Sequence, residues 1–221
     1  IRDDLVTGVQ TCALPISITS LNLGKKFDTS NVKVMDSMFR ETGNKSMTSL
    51  DLGQFNFNTS NVWNMSCMFQ YCGAQAMTSL ELGDKFDTSN VTDMQSMFYG
   101  TGSQAMTKLD LGKKFNTSNV TKMSKMFYNC GSQAMTKMNL GPSFTSIPTG
   151  SGKNDFLTSC GKSKCRITVP AEIYKNEHAL KLNSTSTETI SYIIIPFWCC
   201  SIYCWCKRNC LPNTCISCTI F

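Results

Sequence analysis

The sequence predicts an α/β solenoid, a stack of short parallel strands and short helices in four to five coils of 29–30 residues. Three observations predict it. Phe27, Phe57, Phe86 and Phe115 each open an F-D/N-T-S-N-V segment at spacings of 30, 29 and 29, and Phe144 opens a degraded copy, FTSIP. A V-x-x-M-x-x-M-F stripe overlaps each opening, and an M-T-x-L/M-x-L-G stretch follows it. Self-similarity at a fixed period of about 20–50 residues marks a repeat array. One such unit cannot bury its own apolar face, so neighbours must stack.

The stripe comes first in each unit. Val91, Met94, Met97 and Phe98 have counterparts at Val32/Met35/Met38/Phe39, Val62/Met65/Met68/Phe69 and Val120/Met123/Met126/Phe127. Spacing i, i+3, i+6, i+7 places all four on one face of a short helix. The preceding Thr-Ser-Asn offers oxygens to cap its first turn. Gly43, Gly73, Gly102 and Gly131 follow and can end it with a positive φ.

The strand comes second. Met47/Leu50/Leu52, Met77/Leu80/Leu82, Met106/Leu109/Leu111 and Met135/Met138/Leu140 repeat, with a truncated copy at Ile18/Leu21/Leu23. The L-x-L portion gives a short strand with two side chains inward and the one between them outward. All 13 methionines fall on these periodic positions, where Met interchanges with Leu, so they read as core filler and not as a copper site. Asn31, Asn61, Asn90 and Asn119 recur once per unit and read as a ladder that bonds turns of adjacent coils. The sequons Asn90-Val91-Thr92 and Asn119-Val120-Thr121 then arise from the repeat itself. Cys72 and Cys130 share a position with Thr42 and Thr101; at two coils, about 9–10 Å apart, they are beyond disulfide reach.

The flanks differ in character. Residues 6–16, VTGVQTCALPI, resemble the translation of a sequencing adaptor, so 1–17 is set aside as adaptor-derived. The solenoid spans 18–144 and a C-terminal cap 145–189, with a strand candidate at Arg166–Val169. In the cap, Cys160 and Cys165 flank a polar GKSK turn and are expected to form a local disulfide; zinc would need two further ligands that the neighbourhood lacks. Residues 190–221 form a Cys-rich tail holding seven of the 13 cysteines, read as frameshifted or disordered sequence.

Several function classes are disfavoured. The net charge of +6 is modest and spread over loop lysines, with no arginine-rich stripe, so nucleic acid is not an expected partner. The single histidine, His178, lies in a polar segment and argues against His-based triads and metal sites. GKS at 161–163 fails as a phosphate loop because Phe156 stands where the motif needs glycine. No nucleophile–base pair or paired-carboxylate cleft is evident, so no catalysis and no cofactor are expected.

The repeated FDTSNVTDM..MF followed by..LDL closely resembles the BspA-type leucine-rich repeat surface proteins of bacteria, over about residues 18–189. The repeats here carry an extra polar loop of the SQAMTK type. The resemblance implies a secreted or cell-surface protein-interaction or adhesion module, acting as a monomer on a protein ligand of a host or neighbouring cell. The expected contact surface is the outward strand column Asn22, Asp51, Glu81, Asp110 and Asn139, beside Ser49, Ser79, Lys108 and Lys137. The alternatives are a passive spacer for an enzyme or anchor elsewhere, and a membrane tether through residues 190–206, a segment shorter than the ~20 residues of a spanning helix.

Overall fold

A computed structural model describes residues 17–24, 26–163, 165–170, 173 and 193–196. Each repeat contributes one short strand: β1 (Ser49–Asp51), β2 (Ser79–Glu81), β3 (Lys108–Asp110), β4 (Lys137–Asn139) and β5 (Arg166–Val169), with β6 (Ile193–Pro196) after them. All pairings are parallel, β1 with β2 and then β3-β4-β5-β6. The register joins equivalent positions, Leu50 to Leu80, Leu109 to Met138 and Met138 to Ile167. Leu50, Leu52, Leu80, Leu82, Leu109 and Leu111 are buried while the residue between each pair faces outward, as the L-x-L pattern requires. The first period is one residue longer than the rest. A 3-10 helix, Leu52–Gln54, absorbs the extra residue, and the Asp51 carboxylate accepts from Gly53 N at 2.8 Å to hold it.

The predicted short helices do not form: no residue described between 17 and 170 is α-helical, and the fold is β-rich and repetitive, not α/β. The V-x-x-M-x-x-M-F stretch is a chain of tight turns with positive φ at every fourth residue, Ser37 and Glu41, then Cys67 and Tyr71. Its N–H groups alternate in destination. Ser37, Phe39 and Glu41 donate to Ser66, Met68 and Gln70 of the next repeat at 2.9, 2.8 and 2.7 Å, while Arg40 and Thr42 close three-residue turns on Ser37 and Phe39. A helix would keep all these donors within itself. Here about half of them tie one repeat to the next, so the segment is a lateral connection.

The four stripe residues nonetheless point inward as expected. Val62, Met65, Met68 and Phe69 are buried, and so are their counterparts in the two following repeats. Two phenylalanine columns run through the core. Phe27, Phe57, Phe86, Phe115 and Phe144 stack at 6.1–6.3 Å, and Phe39, Phe69, Phe98, Phe127 and Phe156 follow at 5.3–5.5 Å. Phe156 and Ile167 show that residues 145–169 continue the repeat register beyond the last clear sequence copy.

The Asn ladder is present: Asn61, Asn90 and Asn119 donate to the carbonyls of Ser30, Ser60 and Ser89 at 2.6–2.7 Å. Thr-Ser-Asn does not cap a helix. The Asp or Asn before the threonine accepts from the N–H two residues on, as in Asp87 with Ser89 N at 2.9 Å. The threonine itself is buried and bonds sideways: Thr88 Oγ1 donates to Asn116 O and accepts from Asn116 N, both at 2.7 Å. Thr88→Val keeps the shape and removes both bonds, so it is expected to cost about 1–3 kcal/mol in urea unfolding. An unchanged midpoint would contradict this role.

The expected Cys160–Cys165 disulfide is not formed; both are free and buried. Cys160 occupies the inward position of Thr42, Cys72, Thr101 and Cys130, with its Sγ 3.9 Å from Met138 Sδ, and the neighbouring Cys130 together with burial pushes its thiol up. The repeat register, 30 residues on from Cys130, therefore turns it toward the preceding repeat and not along the local loop. Burial pushes the Cys72 thiol up to about 12, and burial with the neighbouring Cys130 pushes Cys165 to about 11. An unfolded thiol titrates near 8.5, so the protonated form is favoured by folding. That contribution is complete below about pH 8.5 and is lost as pH rises toward 11–12. The urea midpoint should fall across this window, and less steeply in Cys72→Thr; equal slopes would contradict it.

The expectations for residues 1–16, for His178 and for most of 190–221 concern positions outside the described residues. Of the tail, Ile193–Pro196 pairs with β5.

Candidate functional site

The outward positions of the strands line up because the register is strict. Ser49 lies opposite Ser79 and Asp51 opposite Glu81; Lys108 lies opposite Lys137 and Asp110 opposite Asn139. Sequence reasoning named these residues, and the structure brings them together in two columns on one face. Asn22 lies ahead of β1 and is exposed, outside any described strand. Sequence reasoning missed Arg166, which faces Lys137 across β4 and β5 and extends the basic column to Lys108–Lys137–Arg166. The signal was there: Arg166 stands 29 residues after Lys137, one period on.

The face is polarised. One column carries Asp51, Glu81 and Asp110 over β1–β3; the other carries Lys108, Lys137 and Arg166 over β3–β5. Like charges directly opposite one another on a sheet are destabilising. All three basic residues are exposed, and no ion pair neutralises them among the described residues. Some acidic-column members also have structural work. Asp110 accepts from Gly112 N at 2.9 Å and from Asn139 Nδ2 at 3.1 Å, and Asn139 accepts from Gly141 N. Ser79, Glu81, Lys108 and Lys137 carry no side-chain hydrogen bond among the described residues, so they are free to meet a ligand.

Sheet pairing is interrupted between β2 and β3, where Glu81 and Asp110 hold equivalent positions. A groove of about 730 Å³ lies at this interruption. Ser79, Glu81, Lys108, Asp110 and Asn139 line it, together with Asp84, Lys113, Lys114 and Pro142, which sequence reasoning did not name. Leu82, Phe86 and Leu111 also line it, beneath the charged rim and almost wholly buried. An apolar centre inside a polar rim is the general anatomy of a recognition patch. The groove depends on tertiary splaying of two strands, which no local spacing announces.

Other candidate features are absorbed by structure. The amide groups of Asn90 and Asn119 are spent in the ladder. Among the described residues no group of three His, Cys, Asp or Glu side chains is arranged to hold a metal ion, and no helix is long and apolar enough to cross a membrane.

The fold defines a β-rich repeat protein with charged side chains aligned on its strand face. The family model described as "Mycoplasma protein of unknown function, DUF285" matches residues 19–102 and 56–140, more than half of the chain, which belongs to that family. No curated protein and no solved structure matches it.

Proposed function

We propose that the chain is a leucine-rich-repeat-like solenoid of the BspA type, displayed at a bacterial cell surface or outside the cell, and that it works as a protein-interaction or adhesion module. The observation that carries this reading is the groove between β2 and β3, which falls on the outward strand positions and combines an apolar floor with unpaired charged side chains. A module that only spaces other domains has no need of such a groove. The stack below is held by backbone bonds and buried columns, so the face can vary without loss of the scaffold. The partner is a protein on a host or neighbouring cell, bound by one copy of the chain.

Beads coated with the purified chain are expected to adhere to cells bearing surface protein, and to lose adhesion when those cells are shaved with protease. Adhesion no stronger than that of beads coated with an unrelated repeat protein would favour the passive spacer.

A further inference from the structure

The strand face has a direction, and that direction restricts what fits it. Its acidic column covers β1–β3 and its basic column β3–β5, with the groove where the sign changes. A uniform polyanion long enough to span the basic column meets Glu81 and Asp110 as it extends toward β1. A uniform polycation meets Lys137 and Arg166 at the other end. A protein segment of mixed charge avoids both conflicts, and it alone supplies an apolar side chain for the floor formed by Leu82, Phe86 and Leu111.

We propose that the face binds an extended protein segment lying across the strands, with an acidic block over Lys108, Lys137 and Arg166 and an apolar side chain seated in the groove between β2 and β3. This rests on the reading of the strand face as the docking surface. The three cations lie in register on neighbouring strands, about 4.8 Å apart. Their mutual repulsion is relieved when carboxylates arrive, so bound acidic residues remove a cost that the free protein carries. The apolar anchor gives affinity at the centre of the patch, and the charges set orientation and salt dependence.

The test uses the full chain and fluorescein-labelled extended peptides that carry a central leucine flanked on one side by a block of glutamates, or of lysines in the control. Fluorescence anisotropy should show tighter binding of the glutamate peptide, weakening as salt is added. Ser79→Trp, which fills the groove, should abolish binding of both peptides. The triple variant Lys108→Glu/Lys137→Glu/Arg166→Glu should weaken the glutamate peptide by about tenfold or more and strengthen the lysine peptide. The neutral triple Lys108→Gln/Lys137→Gln/Arg166→Gln should show the loss without the gain, and thermal midpoints establish that each variant is folded. Equal binding of both peptides, lost in Ser79→Trp, would overturn the polarity and leave the docking face standing. Binding indifferent to Ser79→Trp, or no binding of either peptide, would overturn the inference together with the groove. Heparin binding as tightly as the glutamate peptide would overturn it in favour of a polyanionic glycan.

Discussion

Phe98→Ala is expected to lower stability by about 3–5 kcal/mol, the cost of emptying a large buried aromatic site. Phe98 is fully buried and stacks between Phe69 at 5.4 Å and Phe127 at 5.3 Å, with Phe115 tilted against it at 6.2 Å. Each lost ring contact adds to the transfer term, at about 0.5–1.5 kcal/mol per aromatic pair. In a stack where each repeat touches only its neighbours, a defect in the middle weakens two interfaces at once. Phe27 supplies the control, because it is only partly buried and meets one ring, Phe57 at 6.1 Å. Phe27→Ala should therefore cost much less. Urea denaturation of both variants checks the ranking, and equal costs would mean that the phenylalanine columns are not what couples the repeats.

Gly102→Ala is expected to cost about 2–5 kcal/mol. Gly102 has φ +51°, and an added Cβ would stand 2.6 Å from Met106 Cβ. Holding an L-residue in the left-handed region costs about 1–2 kcal/mol, and forcing atoms into the filled core costs about 1–3 more. The turn cannot relax freely, because Gly102 N bonds to Cys72 O and Met106 N bonds to Gly102 O, both at 3.1 Å. Gly112→Ala separates the two causes: φ is +77° there, but nothing lies within 4 Å of the added Cβ. It should show the conformational part alone, about 1–2 kcal/mol. If Gly112→Ala proved the more damaging, the steric account of Gly102 would fail.

The sequence made the strands legible because a strand writes its two faces into alternate residues: Leu50 and Leu52 went inward and Asp51 outward. The Asn ladder was legible because equivalent positions 29–30 residues apart must meet in any stack. The helices were misread for a physical reason. Turns with positive φ at every fourth residue bring side chains back to one side at nearly the helical period, so Val91, Met94, Met97 and Phe98 look amphipathic in either structure. The residues that take the positive φ values change from repeat to repeat, from Ser37 and Glu41 to Cys67 and Tyr71 and then Lys125 and Asn129, so no single turn former marks these positions in the sequence. Cys160 misled in the opposite way, because its short spacing to Cys165 suggested a local bond while the repeat register set its direction. Within the candidate site, both columns were legible except Arg166, and the groove was not. It arises where two strands fail to pair, and pairing is a property of the assembled sheet.

Binding at the strand face, and not at the motif-bearing turn segment, is the central claim. The direct measurement is adhesion of beads coated with two variants matched for thermal midpoint. One carries Glu81→Ala, Lys108→Ala and Lys137→Ala on the strand face, where no internal side-chain bond is lost among the described residues. The other carries Trp63→Ala, which removes the 48% exposed indole next to the F-D/N-T-S-N-V segment. The account predicts that the strand-face variant loses adhesion while Trp63→Ala retains it. Adhesion retained by the strand-face variant and lost with Trp63 would contradict it.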